Sequence, residues 1–548
     1  MIIAHKEQNN SIYLRWRNSD GDRQEKTITG FRPYFYVNSD ERMPEAYNIK
    51  VRNSQGRAMK LPQPFVYERT QHTNLERQPL TKVIVTKPND IRVAKRYFNK
   101  TYEADVNITH RFCVDELTEM PEYKMRKWYW DMEWMNTGKY DGAITTIAVY
   151  DNYADCINLY YWTPSDTEIE MIIVDANEQH FNSEKDMLEA FVSDVENLDP
   201  DMLIAWFGLQ ADVPKLFERL QVNDIDSRRL SPIGVVKPNN REWNKISPIS
   251  QPIHGRLCLN LDHAFERQWN DAQRGTLPST ALDFVGNLLF GEGKKKDSKF
   301  TDKNEFFRRA WLEDTQNYLD YNIQDVVLLK RIDEDNAISE SILALQRLLV
   351  APFSACFYAS HMGGIYFMRH ADWKVPTGDK DAERVEVTGA MIFDPEINET
   401  HGMHNNVAAF DFAQLYPSMM MARNISWETK SKTPTEFACN LSTPQDFSSI
   451  NKKNMKYYKT DKLGLLPRSV LNLKKLRDEY KSRMKSADSK EERQKWFNNQ
   501  MAVKRLMASF YGVTAFPKFG WYDPDLANSI TASAREAIRH AAKIAEGL

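Results

Sequence analysis

Asp411-Phe-Ala-Gln-Leu-Tyr-Pro-Ser418, answered further along by Lys504-Arg-Leu-Met-Ala-Ser-Phe-Tyr-Gly512, is the pair of stretches on which the reading of this chain turns. The first carries an acid into a Tyr-Pro turn, where backbone N–H groups can hold phosphate oxygens. The second sets Lys504, Ala508 and Tyr511 at i, i+4 and i+7, along one side of a helix. Nucleotidyl transfer takes two divalent metals held by at least two acidic side chains, because the attacking and leaving oxygens both carry charge. Of those acids only Asp411 is visible, so the pair reads as half of such a site.

Between the two stretches, Leu473 to Phe510 has the pattern of two long helices. They break at Ser486-Ala-Asp-Ser-Lys-Glu-Glu492, where Ser489 and Glu492 form a capping box, so an antiparallel helical hairpin is predicted. Arg477 and Lys481 are four apart and share a face. With Lys504 on the returning helix they make three cations suited to a triphosphate. From Arg468 to Arg505 there are twelve Lys or Arg against five Asp or Glu. A charge run of that kind is usually a solvated face, and here it draws its weight from the neighbouring motifs.

The 548 residues allow several domains, and 42% hydrophobic with 27% charged residues is the composition of a folded globular chain. A net charge of -3 does not by itself point to a nucleic-acid partner. Cys113, Cys156, Cys258, Cys356 and Cys439 are scattered and form no C-x-x-C pair, which argues against a disulfide framework or a zinc site. No apolar run reaches membrane-spanning length and no signal peptide is apparent, so the expected setting is cytoplasmic, the host cytoplasm if the source is viral. The opening residues alternate β-rich runs such as Ser11-Ile-Tyr-Leu-Arg-Trp with turns such as Asn18-Ser-Asp-Gly21. From about Lys124, core-strand runs (Lys127-Trp-Tyr-Trp-Asp-Met-Glu-Trp134, Asp201-Met-Leu-Ile-Ala-Trp-Phe207) alternate with helical spacing, notably Trp311 to Leu349, which predicts an α/β domain with a mixed sheet.

Asp131 and Glu133 project from one face of their strand. Asp212 opens a helix with Val213 and Pro214, and Tyr321 and Asp325 share a helix face at i and i+4. Each alone reads as a surface pair or a cap. In order, D-x-E, a later Asp and Y-x-x-x-D resemble the ligands of the tyrosine-type DEDD 3′-5′ exonuclease domain of family B DNA polymerases. The likeness runs from about Lys124 to Glu340. It implies that Asp131, Glu133, Asp212 and Asp325 hold two metals and that Tyr321 orients the attacking water. Phe207 and Ala211 stand where the family usually has Asn and Phe. His254-Gly-Arg-Leu257 and Leu282-Asp-Phe284 look like connecting strands of the same domain, with Asp283 structural.

Asp411 to Ser418 resembles the palm motif of that family, together with Gly389-Ala-Met-Ile-Phe-Asp-Pro395 upstream and Asn424-Ile-Ser-Trp-Glu-Thr429 downstream. The hairpin, led in by Leu463-Gly-Leu-Leu-Pro467, is similar to the fingers. By this resemblance a strand delivers Asp411 to a metal, and Leu415 and Tyr416 hold the incoming nucleotide, Tyr416 lying under its sugar and rejecting a 2′ hydroxyl. Arg477, Lys481 and Lys504 contact its phosphates, and Ala508 and Tyr511 flank the nascent base pair. Gln414 replaces a common Ser and Ala508 a usual Asn.

The implied architecture is an α/β multidomain chain. It comprises a strand-rich N-terminal domain over 1–120 completed by 341–380, an RNase H-like DEDDy exonuclease domain over 121–340 and palm over 381–464. Helical-hairpin fingers over 465–512 and incomplete palm over 513–548 follow, with no thumb. Neither the family's D-T-D hairpin nor its thumb occurs in the sequence. The resemblance therefore implies the N-terminal subunit of a split, phage-like polymerase with Mg²⁺ or Mn²⁺, two per active site. Its partners would be primer-template DNA, a single-stranded 3′ end, a dNTP, a C-terminal subunit bearing D-T-D and thumb, and a sliding clamp through that missing part. A stand-alone exonuclease with a vestigial polymerase half, a non-catalytic nucleic-acid-binding module and a truncated form of a longer enzyme are the alternatives.

Overall fold

The aromatic run Lys127–Trp134 is buried over its first four residues because one of its faces meets rings and the other meets acids. Trp128 and Trp130 stack toward Phe191 of helix Glu184–Leu198, with ring centroids 6.3 and 6.2 Å apart. On the opposite face, Tyr129 donates to Asp333 at 2.7 Å and Lys127 reaches Glu340 at 2.8 Å. This strand is central to a six-stranded mixed sheet ordered 177–181, 156–162, 144–151, 127–134, 202–205, 257–260. It runs antiparallel to Ile144–Asp151 and parallel to Met202–Ala205. The sheet therefore matches the expected mixed α/β texture.

This computed structural model describes residues 1–7, 9–43, 50–52, 58–60, 65–165, 172, 174–238, 245–271, 275–291, 299–300, 302–383, 385–389, 407–408, 411–442 and 454–547. Of the palm-like stretch expected at Gly389 to Pro395, only Gly389 lies among them. The chain divides into two compact units. One holds residues 1–31, 119–343 and 352–354, and the other residues 32–118, 344–351 and 355–548. The strand-rich opening of the chain is thus shared between them.

In the first unit, an antiparallel sheet of Ile2–Lys6, Ser11–Arg17 and Arg23–Ile28 is tied to the large sheet by ion pairs. Arg17 meets buried Asp201 at 2.6 Å, and Arg23 and Arg256 meet Asp199 at 2.8 and 2.6 Å. Of the stretch His254 to Leu257, expected as a strand, only Leu257 is in one, the strand running over Leu257–Asn260. Leu282 to Phe284, expected as a strand, instead opens the helix Leu282–Phe290. The apolar run that looked like a strand there packs with helical spacing, and Gly291 ends the helix at φ +68°.

The second unit contains the antiparallel sheet 66–73, 79–84, 34–38, 101–102, over a core of Phe35, Val37, Val83 and Phe98. The backbone at 375–377 extends its edge, with Val375 O accepting from Glu103 and Thr377 donating to Thr101. Further on, Phe367 gathers Phe510, Trp427 and Trp521 at 4.6, 5.3 and 5.3 Å. This cluster anchors helix Lys490–Ala515. Its partner Leu465–Lys485 returns antiparallel, since Arg477 bonds Gln500 while Tyr480 and Arg483 pack on Trp496. The hairpin is as expected, but the cap differs in detail. Ser489 accepts from the Glu492 N–H at 3.0 Å, whereas the Glu492 carboxylate accepts from the Asp488 N–H.

Candidate functional site

Asp131, Glu133 and Asp325 bring one carboxylate oxygen each to within 4.8 Å of one another. The strand places the first two: Asp131 pairs with Ala148 and Glu133 with Thr146, just before a bulge at Trp134. Helix Thr315–Asn336 supplies the third from its buried face. Three carboxylates crowded together repel one another unless a cation is shared, and hard oxygen donors are what Mg²⁺ or Mn²⁺ accepts. The donor set therefore fits a divalent metal.

Neighbours hold the acids in place. Asn322, fully buried, donates to Asp131 Oδ2 at 2.8 Å and accepts from Thr146 Oγ1 at 3.2 Å. Thr145 donates to the carbonyl of Glu133 at 3.1 Å and shares a 2.8 Å hydrogen bond with Tyr318. The Tyr318 phenol is held well above its ordinary pKa, first by burial and then by the charge of Glu133, so it stays neutral. Tyr321 lies on the same helix side, its ring 5.6 Å from Phe306 and 5.5 Å from Phe307. Asp212 is outside the three-carboxylate group. It is buried as the first residue of helix Asp212–Val222, where an acid also favours the helix dipole.

The residues around the second motif lie in the other unit. Asp411 is exposed in an irregular segment rather than on a strand, and residues 409–410 before it are outside the described set. Gln414 takes the left-handed conformation, φ +57°, and turns the chain into helix Leu415–Ala422. The first helical residues are Leu415 and Tyr416, both half-buried. Tyr416 meets Tyr511 of the long hairpin helix, ring centroids 4.9 Å apart, so the two quoted stretches touch. Lys504 and Ala508 lie exposed along the same helix side. Arg477 and Lys481 are half-buried on the partner helix. Arg477 donates to Gln500 at 3.1 Å, and burial lowers its pKa below the usual value.

Three contributors escape a reading of the sequence alone. Asn322 and Tyr318 share the Asp325 face of their helix at three- and seven-residue spacing, which is a usable signal once Asp325 is in hand. Arg535 gives no such signal. It sits fully buried in helix Pro524–Glu546 and donates from Nη1 to the carbonyls of Thr388 and Gly389 at 2.9 Å.

Residues 325–548 match the sequence model of DNA polymerase family B. The chain is 24% identical over 376 residues to a DNA polymerase of Pyrococcus glycovorans, covering 66% of this chain and 44% of that one. It is 23% identical over 542 residues to a DNA polymerase of Thermococcus sp. (strain 9oN-7), covering 93% and 63%. The DNA polymerase delta catalytic subunit of Oryza sativa subsp. japonica is 25% identical over 394 residues, covering 68% and 34%. The chain spans about half the length of the curated archaeal relatives it matches. The fold superposes on the family B DNA polymerase of the hyperthermophilic archaeon Pyrobaculum calidifontis with a TM-score of 0.74 at 17% identity, over 100% of this chain and 71% of that one. Residues 325–548 are thus similar to DNA polymerase family B, and the fold of the chain is that of a family B DNA polymerase.

Proposed function

We propose that the chain removes nucleotides from the 3′ end of single-stranded DNA and carries the nucleotide-binding half of a polymerase site that a second polypeptide completes. The observation that supports this best is the convergence of Asp131, Glu133 and Asp325. A divalent ion bound there would activate water and stabilise the leaving 3′ oxygen. Asn322 fixes the orientation of Asp131, Tyr321 is the water-orienting group, and Asp212, which lies outside the three-carboxylate group, would join it as a fourth ligand only around a bound ion. On this reading the chain is divided into strand-rich N-terminal, RNase H-like exonuclease, palm and fingers domains. In the polymerase half, Tyr416 against Tyr511 supports a pocket for the sugar and base of a dNTP. Arg477, Lys481 and Lys504 meet its phosphates, and Asp411 is the metal acid this chain contributes. The completing polypeptide would bring the D-T-D segment, a thumb and a clamp contact.

The test pairs Asp131→Ala with Glu133→Ala. Digestion of a 5′-labelled single strand with Mn²⁺ should fall by at least about a thousandfold, since several kcal/mol of transition-state stabilisation go with the metal. Titration of Mn²⁺ should lose its site in parallel. Retained digestion refutes the nuclease, and primer extension by the purified chain alone refutes the divided polymerase site.

A further inference from the structure

A loop of the second unit presents cations over a recess that neither site above uses. Arg77, Lys459, Lys462 and Arg468 line a recess of about 270 Å³, beside Trp373 and Leu463. The loop is held firmly from beneath. Asn424, 3% exposed, donates to the carbonyls of Lys459 and Lys462 at 2.7 and 2.9 Å and accepts from the Gly464 N–H at 2.9 Å. Lys459 N–H also donates to Thr429 O at 2.7 Å. Gly464 packs so closely that a Cβ there would lie 2.5 Å from Ser426 Cβ. The Asn424 to Thr429 and Leu463 to Pro467 motifs thus form one clamp, and what the clamp fixes in place is a pair of exposed lysines.

The acids nearby leave those cations available. Glu428 is occupied, accepting from the Leu465 N–H and the Ser426 hydroxyl. Asp372 and Asp461 are the remaining acidic lining residues. Among the described residues Arg77, Lys459 and Lys462 enter no ion pair, and Arg468 only reaches the His370 carbonyl at 3.5 Å. Helix Leu465–Lys485 starts at the same place and adds the positive end of its dipole. Cations on a rigid loop, a helix start and an apolar wall are the elements of phosphate recognition, and the volume is below that of drug-sized pockets.

We propose that this recess binds the phosphate of one nucleotide, either free or as a unit of a single strand. The choice of a nucleotide over another phosphate ester rests on the polymerase-family reading, whereas phosphate binding does not. The test is lysine acetylation of the full chain, read by mass spectrometry, without divalent metal so that no strand is digested. The probes are inorganic phosphate, dAMP and a deoxythymidine decamer, with exposed Lys26 of the other unit as reference. Protection of Lys459 and Lys462 over Lys26 by dAMP identifies a free nucleotide. Protection by the decamer alone identifies a strand unit. Protection by inorganic phosphate but equally by dAMP and decamer upholds the phosphate site, and protection by none of the three overturns the proposal. For the strand source, Lys459→Gln with Lys462→Gln should reduce the slope of log affinity against log salt by about 1.4. An unchanged slope excludes that source. Digestion assays on the same variant report separately on the nuclease, which this recess does not contain.

Discussion

Asn322 shows how much of the metal-ligand geometry depends on a residue that is not itself an acid. Its amide is shared between Asp131 and Thr146, so both the carboxylate and the neighbouring strand are held by one side chain. Asn322→Ala should weaken Mn²⁺ binding by about 10- to 100-fold, as loss of a ligand-orienting partner does, measurable by calorimetric titration. Asp262 gives the opposite kind of prediction. Burial, reinforced by Glu266, raises its pKa to about 7 against hydrogen bonding from the His263 N–H. Below the unfolded pKa near 4 both states are protonated and nothing is lost. As pH rises from there toward 7 the unfolded carboxyl ionises first, and the folded state is penalised. Asp262→Asn should therefore stabilise the protein at pH 8 by on the order of 2 kcal/mol and leave its stability at pH 3.5 nearly unchanged, as thermal melts at the two pH values would report.

Elements meet closely where glycine permits it. In helix Ala359–His370, a Cβ on Gly363 would lie 2.2 Å from Val513 Cγ2, and one on Gly364 2.5 Å from the Phe519 ring. Gly363 lets this helix press against Lys490–Ala515, which carries Lys504, Ala508 and Tyr511, and Gly364 admits the ring that follows that helix. Gly363→Ala would force Val513 aside and should cost about 1–3 kcal/mol, the usual range for overpacking. Because Tyr511 is two residues from Val513, the same change should weaken dNTP binding, readable by fluorescence titration. Unaltered stability and affinity together would show that the helix contact is looser than its geometry indicates.

At the scale of the whole molecule, the three-carboxylate group lies in one unit and the Tyr416–Tyr511 contact in the other. Asp131→Ala with Glu133→Ala should therefore abolish 3′ digestion while leaving dNTP affinity within about twofold, since sites with no shared partners behave additively. Much of this was legible in the residues. The alternation of Lys127–Trp134 and the i, i+4 spacing of Tyr321 and Asp325 are periodicities set by backbone geometry, so faces could be assigned without a fold. The same holds for the hairpin, whose cap residues are local. What no local rule reaches is contact between segments far apart in the chain. That Asp131 would meet Asn322, that Asp212 would fall outside the carboxylate group, and that Leu282 would begin a helix all depend on which surface packs against it. The amino-acid order by itself determined the periodic faces and the motifs. Only the tertiary structure decided which faces meet, because burial and close packing are settled between elements that the sequence keeps far apart.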